Sequence, residues 1–411
     1  MRRLVLIACL ILFAAIAFIF APACSEDVEI PERPFSFTDL ESALAAPDAV
    51  RRLVLGSGDT VSPAIGRLKN LEELVVIGAL RLPPEISGLK QLKLLDLQLF
   101  ESDALIPAIG ELENLRTLTL HSSGQTGNRA RIQFSFQKLR RLRRLEIEDL
   151  PLQAVPAGVL KLENLEELRI HKSAIQEIPS GIANMRGLVV LDISDARIQS
   201  IPPELAALPE LQSARFYNNK LEGFPNVLLE MSRLRGITLS GNAIRSLPKS
   251  IGRLSALEHL SLRGCQLENF PDSFRKLKRL WSLSLSSNGL KEWPPGLSEM
   301  SDLQWIDLTD NRLESIDPGV FQLDQLRSLR LSNNRIETLP PLPDTVWRPW
   351  PNLEKLYLSG NPIQEIPREY LELRKIDTIW IDSTKVPASF RASLPRHRQR
   401  RLRTDEDIRP L

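Results

Sequence analysis

The sequence predicts an α/β solenoid, in which about fifteen similar coils stack so that short parallel strands line one side and short helical or irregular segments the other. Three observations predict this fold. One aliphatic motif recurs along most of the 411 residues. Its inner aliphatic positions are two residues apart, as on one face of a strand. An apolar residue and a proline usually follow each strand-like segment.

The recurring motif is L-x-x-L-x-L-x-x-N, and Leu234–Asn242 and Leu303–Asn311 are clear copies. Ten of the fourteen intervals between first positions are 23 residues, two are 21 and two are 27. Every first, fourth and sixth position is apolar, whereas 43% of the whole chain is hydrophobic, so chance does not explain the register. The first positions are Val50, Leu71, Leu92, Leu115, Leu142, Leu165, Leu188, Leu211, Leu234, Leu257, Leu280, Leu303, Leu326, Leu353 and Ile376.

The spacing predicts how each coil folds. The fourth and sixth side chains point inward from a short strand, and the proline ends the strand because it lacks an N–H donor. A single coil of this size buries too few aliphatic residues to offset its loss of conformational entropy. Neighbouring coils must therefore stack, with their strands forming one parallel sheet.

The ninth position is asparagine in six copies, where a buried amide would bond backbone groups after the strand. Cys265 takes this position once, and we expect a small buried residue there rather than a reactive thiol. The six are Asn219, Asn242, Asn288, Asn311, Asn334 and Asn361.

These motifs resemble the leucine-rich repeat family, specifically its 23-residue bacterial and Ras-associated class, from Val50 to about Thr384. The resemblance implies a horseshoe with a parallel concave β-sheet of about 15 strands. It also implies a protein-binding scaffold, although a fold of this kind serves many partners.

The N-terminus has the pattern of an export signal, because Arg2 and Arg3 precede an unbroken apolar run over residues 4–21. Three alternatives stay open. The leader is cleaved, it is retained as a membrane anchor, or Cys24 is lipidated, since Ala23-Cys24 resembles a bacterial lipobox that otherwise departs at Ala21 and Pro22. All three predict an extracytoplasmic protein, either secreted or in a bacterial cell envelope.

Four segments are predicted: a signal peptide or membrane anchor over 1–23, a linker and N-terminal helical cap over 24–49, the repeat solenoid over 50–384, and a C-terminal cap and basic tail over 385–411. Thr38-Asp39-Leu40-Glu41 has the pattern of a capping box, with Thr38 as the N-cap. The arginine-rich stretch 396–403 is interpreted as a solvated end, with contact to anionic lipid as the alternative. Residues 341–350 form an insertion with Trp347 and Trp350, either a tolerated convex loop or a binding loop.

Composition and motifs disfavour catalysis and nucleic-acid binding. The 53 Lys and Arg nearly balance the 51 Asp and Glu, so no global field attracts nucleic acid. The four histidines lack metal-ligand spacing, no nucleophile elbow occurs, and Gly56–Thr60 lacks the lysine of a phosphate loop. We therefore predict a protein that is not an enzyme, with no cofactor, metal site or catalytic residue.

Two groups of side chains are predicted to face outward from the concave sheet. Glu146, Arg169, Asp192 and Arg215 alternate in charge over four strands and should pair with one another, as should Arg144 and Glu167. The predicted partner-binding residues lie in the C-terminal half, where exposed aromatic residues and arginines are typical of interfaces: Trp281, Trp305, Arg327, Arg330, Tyr357 and Trp380.

A protein is the first partner predicted for these six residues. Stacking on the sugars of an envelope glycan, such as peptidoglycan, is an alternative, and a membrane-tethered signalling scaffold is another. The residues could also simply pack on one another across the strands. Contact with a membrane is predicted through the N-terminal lipid or anchor.

Overall fold

The computed structural model describes residues 35–56, 61–79, 82–99, 107–122, 132, 135–343, 349–382, 384–387 and 399–403. The predicted leader, Cys24 and Trp347 lie outside these residues. The chain divides into a unit of residues 1–36 and a unit of residues 37–411, and the second unit contains all of the repeats. Within the described ranges, no helix is both long enough and apolar enough to cross a membrane.

One sheet of 17 strands is formed by the described residues. Fifteen of the strands, β2 to β16, correspond one to one with the predicted repeats. The strands are β1 Ser36–Phe37, β2 Arg52–Leu55, β3 Glu73–Ala79, β4 Leu94–Leu99, β5 Thr117–Ser122, β6 Arg144–Glu148, β7 Glu167–His171, β8 Val190–Ser194, β9 Ser213–Arg215, β10 Gly236–Thr238, β11 His259–Ser261, β12 Ser282–Ser284, β13 Trp305–Asp307, β14 Ser328–Arg330, β15 Lys355–Tyr357, β16 Thr378–Trp380 and β17 Leu402–Arg403.

Neighbouring repeat strands pair in parallel, and residues at the same repeat position lie side by side. Leu260 of β11, for example, is in register with Ile237 of β10 and Leu283 of β12. The register shifts once, between Ile77 and Ala79 of β3. The parallel sheet predicted from the repeat spacing is confirmed.

The opposite side of most coils is a short 3₁₀ helix among the described residues, and proline begins or directly precedes most of these helices because its fixed φ suits a first helical turn. These helices are Pro63–Arg67, Pro84–Gly88, Pro107–Glu111, Val159–Lys161, Ser180–Asn184, Pro203–Ala207, Asn226–Glu230, Ile251–Arg253, Asp272–Lys276, Leu297–Glu299, Pro318–Gln322 and Arg368–Glu372.

The core is a continuous column of aliphatic side chains between the sheet and the 3₁₀ helices. Leu257, Leu260 and Leu262, the three motif aliphatics of one repeat, are each 0% exposed.

Trp350 is also fully buried, packs against Phe321 and Tyr370, and donates its indole N–H to Val320 O at 2.8 Å. The interpretation of Trp350 as an exposed convex or binding residue was therefore wrong, because its ring fills the core beside the insertion.

The ninth-position asparagines form a buried ladder that joins successive repeats. Asn242 donates through Nδ2 to Leu239 O at 2.7 Å and, across to the preceding repeat, to Phe216 O at 2.8 Å. Its Oδ1 accepts from Leu221 N at 3.0 Å. At Cys265 the thiol replaces the amide and donates to Leu239 O at 3.3 Å, and burial raises the pKa of this thiol to about 11. The position predicted for Cys265 is the one that the structure shows.

The eighth position, just after the strand, has a positive φ in ten repeats from β6 to β15, a backbone state that Gly, Asn and Asp adopt most readily. Asn218 at this position donates to Asp195 Oδ1 at 2.7 Å, and its own Oδ1 faces the adjacent Gly241. A Cβ on Gly241 would lie 2.1 Å from that oxygen. Both the positive φ and the nearby oxygen therefore favour glycine at this position. The ten are Asp149, Lys172, Asp195, Asn218, Gly241, Gly264, Ser287, Asp310, Asn333 and Gly360.

Both predicted caps differ in detail from the expectation. Helix α1 spans Leu40–Ala45, and its N-cap is Asp39, which accepts from Ser42 N at 2.7 Å, rather than Thr38. Part of the arginine-rich stretch is not a solvated end: Leu402 is 0% exposed and β17 pairs with β16. Arg401 also donates to Leu371 O, because the last repeat leaves carbonyl groups for it.

Candidate functional site: the concave face

The concave face consists of the outward-pointing residues of β2 to β16, which the parallel register arranges in columns. The fifth repeat position is one such column and runs across every strand from Val54 to Trp380. The column is apolar at its start, charged over β6 to β9, small and polar over β10 to β12, and aromatic at its end.

An ion-pair network covers β6 to β9. Glu167 contacts Arg144 Nη2 at 3.2 Å and Arg169 Nη2 at 3.0 Å. Asp192, only 2% exposed, accepts from Ser194 Oγ at 2.5 Å and pairs with His171 Nε2 at 3.2 Å. The network comprises Arg144, Glu146, Glu148, Glu167, Arg169, His171, Lys172, Asp192 and Arg215.

The pairing matches the sequence-based prediction only in part. The predicted Arg144–Glu167 pair is present, and Asp192–Arg215 lies at 3.9 Å. Arg169, however, reaches Glu167 on its own strand, where a carboxylate two residues away is closer than those of the neighbouring fifth positions. The network is internally neutralised, which is more typical of a structural role than of a ligand site.

His171 gives this network a pH dependence. Burial lowers the pKa of His171, but the carboxylate of Asp192, with Glu146 and Glu148, outweighs burial and raises the pKa above its usual 6.5. A raised pKa in the folded state means that the native protein binds this proton more tightly than the unfolded chain. The stabilisation is therefore complete below the unfolded pKa and is lost as the pH rises through the folded pKa.

Replacing His171 with glutamine is therefore expected to lower the melting temperature more at about pH 6 than at about pH 9. Thermal unfolding of the two proteins at both pH values measures this difference. His259→Gln is the matched control, because burial and Arg215 lower the pKa of His259 to about 4, so that it is neutral at both pH values. A destabilisation by His171→Gln that grows with pH would contradict the assignment.

The C-terminal part of the column is a stack of one guanidinium and two aromatic rings, which we call the aromatic stack: Arg330, Tyr357 and Trp380. The rings of Tyr357 and Trp380 lie 6.1 Å apart between centroids and only 4° from parallel. Arg330 Cζ lies 4.9 Å from the Tyr357 centroid on the opposite face, a cation–π arrangement. Exposed Arg403 of β17 is in register with Trp380, so arginines flank both ends of the stack.

The other three predicted residues lie apart from the aromatic stack. Trp305 is the first residue of β13, and Arg327 directly precedes β14, where it lies 3.8 Å from Glu354. Trp281 lines a shallow groove of about 440 Å³ beside the N-terminal ends of the strands from β11 onward. We call this depression the rim groove. Its other lining residues are Glu258, Arg279, Asp302, Gln304 and Gln325. The structure thus brings together three of the six residues and places Trp281 in a second depression.

Some concave-face features were not anticipated from the sequence. The His171–Asp192 pair was not predicted, although the repeat register places the two residues on adjacent strands. Asp96 was not singled out either. Among the described residues, no group of three or more His, Cys, Asp or Glu side chains is arranged to hold a metal ion.

Comparison with known proteins agrees with this architecture. A family model described as "Leucine rich repeat" matches residues 232–290 and 301–363. A search of curated proteins found no match. Among solved structures, a leucine-rich repeat protein of Leptospira interrogans is 24% identical with a TM-score of 0.72, covering 90% of this chain and 99% of that chain.

Two further solved structures have ligands in their descriptions. The plant peptide hormone receptor RGFR1 in complex with RGF2 is 23% identical with a TM-score of 0.58, covering 90% of this chain and 64% of that chain. TLR13 in complex with ssRNA13 is 19% identical with a TM-score of 0.60, covering 89% of this chain and 55% of that chain. At these identities the likeness concerns the fold. Since the family model matches residues 232–290 and 301–363 and the same parallel stacking continues from β2 to β16, the chain contains leucine-rich repeats in these two stretches and has the fold of leucine-rich repeat proteins.

Proposed function

We propose that this protein is a non-enzymatic binding scaffold that holds a segment of a protein partner against its concave face, with the aromatic stack as the principal contact. The observation that carries the proposal is the stack itself. Tyr357 and Trp380 are half-buried on an open sheet, and large amphipathic rings beside arginine are the residue types that dominate binding energy at interfaces. Repeat solenoids typically bind through this extended curved surface.

The chemistry of the stack favours an acidic or aromatic side chain in the partner. Arg330, Arg403 and the exposed Lys355 surround the two rings, whereas Asp307 is the carboxylate next to Arg330 in the column. Between the stack and the ion-pair network, the fifth column holds Thr238, Ser261, Ser284 and Asp307, which are small or short polar residues, so a bound chain could approach the sheet closely. The peptide-hormone receptor among the structural neighbours supports a peptide-like ligand.

The proposal also includes a cellular location for the protein. The basic start, apolar run and Ala23-Cys24 support an extracytoplasmic protein of a bacterial envelope, with lipidated Cys24 as the preferred anchor. The repeat length supports the 23-residue bacterial and Ras-associated class within the family.

Tyr357→Ala is expected to weaken binding of the partner segment about thirtyfold, the effect of a single interface hot spot. Peptides selected against the wild-type protein from a random displayed library provide the measurement, and their sequences should be enriched in acidic and aromatic residues. Trp380→Ala should weaken the same peptides comparably. Thr309→Ala, a substitution of a small polar residue on the same face, should leave affinity unchanged.

Equal affinity of the selected peptides for the wild type and Tyr357→Ala would refute the stack as the site. The glycan alternative predicts a different pattern, since the indole of Trp281 and the amides of Gln304 and Gln325 line the rim groove. Sedimentation with purified cell wall that is lost in Trp281→Ala but retained in Tyr357→Ala would replace the protein partner with a polysaccharide.

A further inference from the structure

A second region of the concave face, at its N-terminal end, combines apolar side chains with one carboxylate. This N-terminal patch consists of Val54, Val75, Ile77, Leu94 and Asp96 on β2 to β4. Ile77 is 37% exposed and is one of two large hydrophobic residues classed as exposed among the described residues. The other four are half-buried, and the register places Val54, Val75 and Asp96 side by side in the fifth column.

Within the described part of the chain, one oxygen of the Asp96 carboxylate, Oδ1, is buried without a hydrogen bond. The neighbours of Asp96 in the column are Val75 and Thr119, neither of which carries a positive charge. Shielding a carboxylate oxygen without a hydrogen bond or an opposite charge is unfavourable, so a group of this kind in a native protein calls for an explanation.

Other carboxylates on this face show what a structural role looks like. Glu73 on the adjacent strand pairs with Arg52 Nε at 3.2 Å, and Glu148 pairs with His121 Nδ1 at 3.0 Å and with Lys172 Nζ at 2.9 Å. These nearby basic groups are thus paired with other acids, whereas Asp96 lies between Val75 and Thr119 in the column.

The energetic state of Asp96 agrees with this geometry. Burial raises the pKa of Asp96, the negative charge of Glu146 raises it further, and His121 acts in the opposite direction. In the absence of a ligand, the ionised carboxylate therefore costs stability. A loss of stability of this kind is typical of a binding residue in the unbound protein, because a bound cation would pair with the carboxylate and remove the loss.

We propose that the N-terminal patch binds a lysine or arginine side chain of the partner segment, with its cationic head on Asp96 and its aliphatic stem on Val54, Val75, Ile77 and Leu94. Charge complementarity selects this occupant, because an anionic side chain would be repelled and a purely apolar one would leave the carboxylate unpaired. The methylene stem of a basic residue suits the surrounding apolar surface. The inference shares with the proposed function the use of the concave face, but it does not depend on the aromatic stack.

Three short peptides test the proposal without knowledge of the natural partner: acetyl-Val-Lys-Val-amide, its norleucine analogue, which keeps the stem and removes the charge, and its glutamate analogue. Titrations of the full-length protein followed by NMR should show the lysine peptide binding about tenfold more tightly than the norleucine peptide, with the glutamate peptide weakest. Asp96→Asn should abolish the preference for lysine. Asp307→Asn, a carboxylate substitution in the same column, should retain it.

A stability measurement separates this role from a structural one. Because the folded pKa of Asp96 is raised, its carboxylate lowers stability above that pKa, and Asp96→Asn should raise the melting temperature at about pH 7.5 but not at about pH 3.5. Equal binding of the lysine and norleucine peptides would overturn the proposal, and so would a melting temperature of Asp96→Asn below that of the wild type at neutral pH. Both outcomes are independent of Tyr357, so failure here leaves the aromatic stack as a separate question.

Discussion

Replacing Asn288 with alanine is expected to lower the free energy of unfolding by about 3–5 kcal/mol, because one amide serves several buried backbone groups. Its Oδ1 accepts from Cys265 N at 2.9 Å and from Leu267 N at 3.0 Å. Its Nδ2 donates to three carbonyl oxygens, those of Leu262, Leu285 and Ser286, at 2.8, 2.8 and 3.2 Å. Alanine leaves these groups without a partner in a space where the neighbouring aliphatic side chains exclude water.

Urea denaturation followed by circular dichroism measures the loss, and amide hydrogen exchange at Cys265 and Leu267 locates it. Cys265 supplies the matched controls. Cys265→Ala removes only a thiol donor and should cost about 1 kcal/mol, whereas Cys265→Asn restores the consensus amide and should increase stability. A loss of less than about 1 kcal/mol in Asn288→Ala would mean that the backbone groups find other partners.

The second large effect is expected at Gly241, where alanine should reduce stability by about 2–4 kcal/mol through two separable causes. The φ of +69° is unfavourable for any residue with a Cβ, and that Cβ would approach Asn218 Oδ1 to 2.1 Å. Gly264 isolates the first cause, because its φ is +62° but its nearest atom outside the adjacent residues is 4.0 Å away. Gly264→Ala should therefore cost only about 1–2 kcal/mol.

The contribution of the steric contact can be removed by a second substitution. In the Gly241→Ala background, Asn218→Ala eliminates the obstructing oxygen, so it should cost less stability there than in the wild type, where it only removes the bond to Asp195 and the residue suited to the positive φ. Melting curves of these variants and of Asn218→Ala alone complete a double-mutant cycle. Additive effects would show that Asn218 moves aside at no cost. Gly360 repeats the arrangement, with a Cβ placed 2.1 Å from Asn333 Oδ1.

The fold could be predicted from the sequence because every repeat has to bury aliphatic side chains in the same way. Each repeat must place aliphatic residues at the same three positions to share a core with its neighbours, so the period of the pattern is the period of the structure. The same reasoning placed Asn288 and Cys265 correctly, since a polar residue at a buried, repeated position must bond the backbone.

The candidate sites were predicted less completely, because they depend on contacts between repeats rather than on the repeat itself. The column identified Arg330, Tyr357 and Trp380 as neighbours, but nothing in the pattern showed that Trp281 belongs to a different groove. Trp350 lies in an insertion, where the period gives no information about burial. The positive φ of the eighth position did have a signal, since Gly, Asn and Asp are frequent there.

The short strand β17 also has a consequence for assembly. An open parallel sheet exposes unpaired N–H and C=O groups at its last strand, and another molecule stacked on that edge would begin a head-to-tail filament that never closes into a ring. In this protein, Arg401 O and Arg403 O accept from Ile379 N and Ile381 N of that edge, at 2.6 and 3.0 Å. Two residues of strand are too few to offer a comparable template in turn. The added strand therefore works against open-ended polymerisation at this edge.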